Sequence, residues 1–104
     1  GKEDIEKIID IEIKDLKRRA EEAGYKLSIT PSAKRFIAEA GFDPAYGARP
    51  LKRAVMKYVE DPVSEFILSD SILKGNRKKK DPSPALLKVG LSADKESTVV
   101  SLLP

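Results

Sequence analysis

The sequence predicts an α+β domain in which about four helices pack against a small three-stranded sheet. Two patterns lead to this prediction. Apolar residues recur every three or four positions through most of residues 2–68, which is typical of amphipathic helices. Apolar and polar residues alternate over residues 25–30 and again from Leu87 onward, which is typical of strands with one buried face. A length of 104 residues suits one domain, so we expect residues 1–104 to form a single domain.

The first predicted helix spans residues 2–23. Ile11 and Ile13 widen its apolar stripe, which predicts that more than one side of the helix is covered. Gly24 stands just past the helix end, where a residue in the left-handed conformation is common. The positions that define the stripe are Ile5, Ile8, Ile9, Leu16, Ala20 and Ala23.

A short strand and a second helix are predicted next. The alternation over residues 25–30 indicates the strand. Thr30 and Pro31 then supply an N-cap followed by a proline in the first helical turn, and Gly41 ends the second helix. Residues 42–47 form a turn-rich linker that contains proline and glycine.

A third helix is predicted to begin at Ala48 or Arg49, with Pro50 in its first turn. Asp61 and Pro62 repeat the pairing of a cap residue and a proline, which predicts that the third helix breaks there and a short fourth helix starts. The apolar positions of the third helix are Leu51, Ala54, Val55, Tyr58 and Val59.

Residues 76–84 are predicted to form a flexible basic loop. Its run of four cations, residues 77–80, has two interpretations: a solvated loop, which we favour, or a contact with an acidic partner or nucleic acid. No aromatic residue interleaves the run, which argues against stacking on single strands. Strands over residues 87–91 and 97–103 are expected to form a hairpin that pairs with the strand at 25–30.

The composition excludes several classes of function. The chain has no cysteine and no histidine, which rules out disulfides, thiol chemistry, ordinary zinc sites and imidazole catalysis. The 20 basic and 17 acidic residues are interspersed, so a net charge of +3 disfavours a nucleic-acid partner. No apolar run is long enough for a membrane span and no signal peptide is visible, so we expect a cytoplasmic location.

No catalytic constellation is present in the sequence. It contains neither a phosphate-binding loop of the G-x-x-x-x-G-K-[ST] type nor a G-x-S-x-G nucleophile elbow. We therefore expect that this chain is not an enzyme by its own residues. Because the chain starts directly with helix-forming residues, we also expect it to be a fragment of something longer.

The segment of residues 41–51, Gly-Phe-Asp-Pro-Ala-Tyr-Gly-Ala-Arg-Pro-Leu, places Arg49 at the start of a helix. A guanidinium is a planar fork of donors suited to phosphate oxygens, and the N-terminus of a helix also favours anions. This interpretation predicts an anion site. The alternative is that Arg49 pairs with Asp43 or another local carboxylate and only fixes the turn, and Tyr46 is expected to pack against that turn.

The run Gly-Ala-Arg-Pro-Leu-Lys-Arg-Ala at residues 47–54, followed by Tyr-Val-Glu-Asp-Pro at 58–62, resembles a known signature. It is similar to the small, or lid, subdomain of the last AAA+ module in Clp-type ATP-dependent unfoldases and chaperones, the ClpA, ClpB and ClpC group, with the ClpC-like branch favoured. The resemblance covers residues 2–75, and the insert at 77–84 departs from it.

The resemblance implies a role for several residues. Arg49 would be the sensor-two arginine, which reaches the γ-phosphate of ATP bound in a neighbouring large domain. Gly47 and Ala48 would lie against the nucleotide. Lys52 and Arg53 are candidates for contact with the next subunit of a ring, although a solvated helix face is the interpretation we favour for them.

The resemblance also implies cofactors and partners. These are ATP, Mg²⁺ held by a large AAA+ domain of the same chain, neighbouring subunits of a ring that is a hexamer in the parent, protein substrates and a Clp-type peptidase. The resemblance thus implies a regulatory subdomain of an ATP-driven unfoldase or chaperone that acts in protein quality control or proteolysis. The alternative function is a stand-alone basic interaction domain that binds nucleic acid or an acidic protein partner.

Overall fold

Helices and strands follow one another in an order close to the predicted one. A computed structural model of the chain describes residues 2–75 and 83–104. The predicted basic loop therefore lies outside the described residues, apart from Ser83 and Pro84. The elements are α1 (Lys2–Glu22), β1 (Tyr25–Ile29), α2 (Pro31–Ala40), α3 (Leu51–Val55), a π-helical segment (Met56–Glu60), α4 (Asp61–Lys74), β2 (Ala85–Leu91) and β3 (Thr98–Leu102).

Helix α1 buries one narrow stripe against the rest of the fold. Ile9 and Ile13 are 0% and 1% exposed, and Leu16 and Ala20 continue the same face. Ile11, in contrast, is 70% exposed, so the expectation of a wider covered stripe was wrong at this position. The reason is geometric: Ile11 lies two residues from both Ile9 and Ile13, which turns it about 200° away from each on an α-helix.

The sheet has the strand order β1-β2-β3. β1 runs parallel to β2, with Leu27 opposite Leu87, and β2 pairs with β3 antiparallel, with Val89 opposite Val100. The predicted hairpin and its pairing with β1 are thereby confirmed. Leu87 and Val89 are fully buried, because the central strand has a neighbour on each side and helices over one face.

Helix α3, the π-helical segment and α4 form one continuous rod, the third helix. Val55, Glu60 and Asp61, which flank the joins, all have helical backbone angles. The prediction of a break and a fourth helix at Asp61 and Pro62 was therefore wrong, and the described residues form three helices. The N–H of Asp61 bonds to the carbonyl of Met56, five residues back, and this wider turn gives room to a proline ring that an α-helical turn would exclude.

A buried polar contact joins the sheet to the third helix. Tyr25 on β1 is 1% exposed and donates its hydroxyl hydrogen bond to the carboxylate of Asp70 on α4, which is 8% exposed. Buried carboxylates need such partners, because desolvation without hydrogen bonds is costly. No sequence pattern pointed to this pair, since Asp70 looks like an ordinary polar position on a helix surface.

Within the two described ranges, no helix has both the length and the apolar character that a membrane crossing requires.

Candidate functional site

The linker between α2 and α3 is held at its first residue by a close backbone approach. A Cβ added to Gly41 would lie 2.6 Å from Leu51 Cδ1 and 2.7 Å from Leu51 Cα. Only glycine leaves room for the end of α2 to contact the start of the third helix in this way. The linker is therefore anchored at both of its ends on the core.

A tight turn fixes the middle of the linker. Asp43 and Gly47 exchange two backbone hydrogen bonds of 2.8 and 2.6 Å. The Asp43 carboxylate accepts the N–H groups of Ala45 and Tyr46 at 2.7 and 3.1 Å. Gly47 has a φ of 64°, a conformation that glycine adopts at little cost. The turn thus sets the direction in which the chain enters the third helix.

Arg49 extends from this turn into solvent. Its side chain is exposed, and within residues 2–75 and 83–104 no carboxylate forms an ion pair with it. The suggested pair with Asp43 is absent, since the carboxylate of Asp43 caps the turn instead. The guanidinium carbon of Arg49 lies 5.7 Å from the centre of the Tyr46 ring. Among the described residues, therefore, no carboxylate compensates the positive charge of Arg49.

Tyr46 does not pack into the turn as expected, because its side chain is 63% exposed. Together with Arg49, Pro50 and Arg53 it lines a shallow pocket of about 350 Å³. Arg53, in the first turn of the third helix, lines the same pocket as Arg49. The pocket is thus basic and has an aromatic wall.

Lys52 is exposed on α3 but does not line this pocket, so of the two candidate interface cations only Arg53 is beside Arg49. The third helix itself begins at Leu51, not at Ala48 or Arg49 as predicted. Pro50 takes the N-cap position there, because Ala48 and Arg49 are still needed for the turn that ends the linker.

A second concavity, an apolar groove of about 670 Å³, also borders the linker. Gly47 and Ala48, two of the residues predicted to lie against a nucleotide, both line it. Its remaining lining residues are Asp4, Ile5, Ile8, Ala38, Glu39 and Phe42. The apolar groove and the basic pocket are therefore adjacent along the chain: Gly47 and Ala48 line the first, and Arg49 lines the second.

The apolar part of this site is not predicted by any pattern in the sequence. Ile8 and Phe42 are 37% and 50% exposed although both are large apolar residues. A signal existed in Phe42, an aromatic residue in a linker with no periodic apolar neighbours. The contribution of α1 depends on how the first helix packs beside the linker, which local sequence does not report.

For metals, the part of the chain that the structure describes contains no group of three or more His, Cys, Asp or Glu side chains that could hold an ion. The residues at the linker fit a different ligand. A free guanidinium suits a phosphate chain, and an apolar groove suits an aromatic base.

This α+β fold, with the Gly-Ala-Arg linker between the second and third helices, defines the class of small domains found in Clp-type AAA+ chaperones. Residues 1–79 match the family described as the C-terminal, D2-small domain of ClpB protein. The chain belongs to this family, and the resemblance noted in the sequence is confirmed.

Individual relatives agree with the family. The chaperone protein ClpB of Helicobacter hepaticus is 47% identical over 77 residues, or 74% of this chain and 9% of the relative. ClpB of Vibrio cholerae is 43% identical over 89 residues, or 86% of this chain and 10% of the relative. The ATP-binding subunit ClpC of an ATP-dependent Clp protease from Staphylococcus saprophyticus is 42% identical over 81 residues, or 78% of this chain and 10% of the relative.

The chain thus spans about a tenth of the length of these curated relatives. Because both ClpB and ClpC proteins are among them, the preference for a ClpC-like branch is not confirmed.

Proposed function

We propose that this chain is the lid subdomain of a Clp-type AAA+ ATPase and that Arg49 is its sensor-two arginine. In this role Arg49 contacts the γ-phosphate of ATP bound by a large domain of the same chain. The observation that carries the proposal is the state of Arg49: its guanidinium is exposed at the start of the third helix and no described carboxylate neutralises it.

A free guanidinium at this position has a clear chemical use. Its donors form a planar fork that matches phosphate oxygens, and the charge that builds on a transferring phosphoryl group is stabilised most by donors already in place. Had Arg49 been paired with Asp43, that ion pair would have to break before a phosphate could bind. The observed geometry avoids this cost.

The apolar groove supports the placement of the rest of the nucleotide. A Cβ at Gly47 would meet no atom within 4 Å, so the space beside this backbone is open to a ligand. Ala48 adds only a methyl group, and Ile5, Ile8 and Phe42 offer apolar surface for an adenine or ribose face. We therefore place the base at the groove and the phosphates toward Arg49.

Mg²⁺ would be held by carboxylates of the large domain, where it would neutralise phosphate oxygens. The residues of this chain bind and orient the nucleotide from the lid side: Gly47 and Ala48 at the base, and Arg49 at the γ-phosphate.

Packing between subunits is the second part of the proposal. Leu68, Ile72 and Leu73 are 63%, 76% and 80% exposed at the end of α4. Leu68 also lines an apolar groove of about 340 Å³ between α1 and α4. Exposed apolar surface of this kind marks a contact site, and we assign it to the neighbouring subunit of a hexameric ring. Lys52 and Arg53 add cations to the same assembly at the other end of the third helix.

Lid movement would then couple hydrolysis to work on a protein substrate. When Arg49 loses the γ-phosphate, the contact that holds lid and large domain together is lost, and the ring contact transmits the change to the next subunit. This places the protein among cytoplasmic unfoldases or remodelling chaperones, with a Clp-type peptidase as a partner in the protease-linked case.

The test uses a chimera in which residues 1–104 replace the matching C-terminal segment of Helicobacter hepaticus ClpB. We expect Arg49→Ala to lower kcat for ATP hydrolysis by about 100-fold or more, because one preorganised donor to the transition state is lost. Arg35→Ala, which removes another exposed arginine from α2, is the matched control and should leave the rate unchanged. Hydrolysis at the unmodified rate in the Arg49 variant would refute the proposal.

The alternative, a basic interaction domain, predicts a different result. Nucleic acid should then bind the 104-residue chain with an affinity that falls steeply as salt rises. The described surface does not favour nucleic-acid binding. Acidic and basic side chains alternate along α1 and pair with one another, as Arg18 does with Asp15 and Glu22. A filter-binding series from low to high salt distinguishes the two functions.

A further inference from the structure

We propose that Tyr46 is the positioning residue for Arg49: its ring holds the guanidinium at the basic pocket without neutralising it. This inference rests on the proposed role of Arg49 and adds to it the means by which that side chain is kept ready. The two residues contact one another directly, with 5.7 Å between the guanidinium carbon and the ring centre.

The backbone fixes Tyr46 in the right place to do this. Its N–H is bound by the Asp43 carboxylate at 3.1 Å, and its carbonyl accepts the N–H of Arg49 at 3.3 Å. Both side chains therefore leave the same closed turn, three residues apart. Because the turn is closed by hydrogen bonds at both ends, the ring and the guanidinium meet without further ordering of the chain.

The charges around the pocket explain why a ring is needed. Arg53, in the first turn of the third helix, lines the same pocket as Arg49, so two like charges repel each other there. Among the described residues no carboxylate is paired with either arginine. The negative face of the Tyr46 ring is the partner that offsets this repulsion for Arg49.

A ring differs from a carboxylate in what it leaves free. An aromatic face attracts the cation through its quadrupole and takes up no N–H of the guanidinium. The donors of Arg49 consequently stay available for phosphate oxygens, and the net charge of the pocket remains positive. A carboxylate at position 46 would hold the side chain equally well but would cancel the charge that attracts the ligand.

The experiment uses the 104-residue chain with inorganic tripolyphosphate as the probe, at low salt, followed by NMR. Three variants are compared: Tyr46→Phe keeps the ring, Tyr46→Leu removes it, and Arg49→Ala removes the cation. Lys57→Ala is the matched control, because Lys57 lies 5.2 Å from the Tyr58 ring in a second cation–ring pair away from the pocket.

We expect Tyr46→Leu to weaken tripolyphosphate binding by about two- to fivefold, with Tyr46→Phe within a factor of about two of the unmodified chain. The Arg49 side-chain protons should show an upfield ring-current shift in the unmodified chain and in Tyr46→Phe, and lose it in Tyr46→Leu. If Tyr46 only stabilised the fold, the Arg49 side-chain protons would show no ring-current shift that follows the ring from tyrosine to phenylalanine and disappears with leucine.

The outcomes separate this inference from the proposal beneath it. If Arg49→Ala lowers affinity but Tyr46→Leu binds tripolyphosphate as well as or better than the unmodified chain, Tyr46 has no positioning role and the inference is overturned alone. If Arg49→Ala itself leaves affinity unchanged, the anion-binding role of Arg49 fails, and the inference about Tyr46 fails with it.

Discussion

The hydroxyl of Thr98 on β3 donates a hydrogen bond of 2.6 Å to the backbone carbonyl of Tyr58 in the third helix. In a regular α-helix that carbonyl would accept the N–H of residue 62, but residue 62 is Pro62 and has none. The strand thus supplies the donor that the proline removes. This contact lets the third helix continue through Pro62 and ties the C-terminal strand to it.

Replacing Thr98 with valine should show how much this contact contributes. Valine keeps the shape of the side chain but removes the hydroxyl whose hydrogen bond the Tyr58 carbonyl accepts, and the loss of one such bond costs about 0.5–1.5 kcal/mol. Urea unfolding of the 104-residue chain measures the change. Thr98→Ser, which retains the hydroxyl, should lose much less stability, and an equal loss in both variants would show that the hydroxyl does not matter.

Gly41→Ala should destabilise the fold through overpacking. The new methyl group would lie within 2.7 Å of the Leu51 backbone, and overpacking of a closed site costs about 1–3 kcal/mol. Gly90→Ala is the control, because a Cβ there first meets Thr30 Cγ2 at 3.8 Å, an ordinary contact. Thermal unfolding compares the two, and a Gly41 variant that melts with the Gly90 variant would contradict the close approach.

Tyr25→Phe removes the hydroxyl that Asp70 accepts. A buried carboxylate that loses a hydrogen-bond donor costs the fold about 1–3 kcal/mol. Tyr58→Phe makes the same chemical change at a half-buried ring and should alter stability by less than about 0.5 kcal/mol. Chemical unfolding of both variants measures the difference. Equal stabilities would show that the hydrogen bond between Tyr25 and Asp70 does not stabilise the fold.

Asp15 should titrate at unusually low pH. The hydrogen bond from Arg18 lowers the pKa of the Asp15 carboxyl below its usual value of 3.8. Since a lowered pKa favours the charged form in the folded state, the stabilisation is present above the unfolded pKa and is lost as pH falls through the folded one. A carboxyl NMR titration should give a midpoint below 3.8 that rises in Arg18→Ala.

The titration of Asp94 is the internal reference for this measurement. Its pKa is lowered by hydrogen bonds from Ser92 and from the backbone of Glu96, so the Arg18 variant should not move it. A shift of both carboxyls would indicate a general change of the fold. We expect little change in global stability, because the Asp15 and Arg18 side chains are each 59% exposed.

Local patterns predicted most of the fold. Periodicity placed α1 and α2, alternation placed β1 and the hairpin, and Gly24 adopts the left-handed conformation with a φ of 96°. These features depend on near neighbours in the chain. The helix continues through Pro62, against the prediction of a break, because of a wide helical turn and a donor from the distant Thr98, and no local pattern contains that information.

The candidate site was predictable in part for the same reason. The signature at residues 47–54 led to Arg49, and the side chain is exposed, as the proposed role needs. Sequence could not show that Asp43 would cap the turn instead of pairing with Arg49, or that the Tyr46 ring would lie against the guanidinium. It also could not show the apolar groove, which two separate helices and the linker build together.

The π-helical segment has a consequence for the phase of the third helix. Its core side chains Leu51, Val55, Val59, Val63 and Ile67 recur every four residues, and in an uninterrupted α-helix each step would drift by about 40°, or about 160° in all. One extra residue in the π-helical turn reduces this rotation around the helix axis by about 100°, so that all five side chains stay on the side that faces the core. Deleting a single residue from the segment would therefore rotate the whole C-terminal half of the rod, carrying Val63 and Ile67 toward solvent.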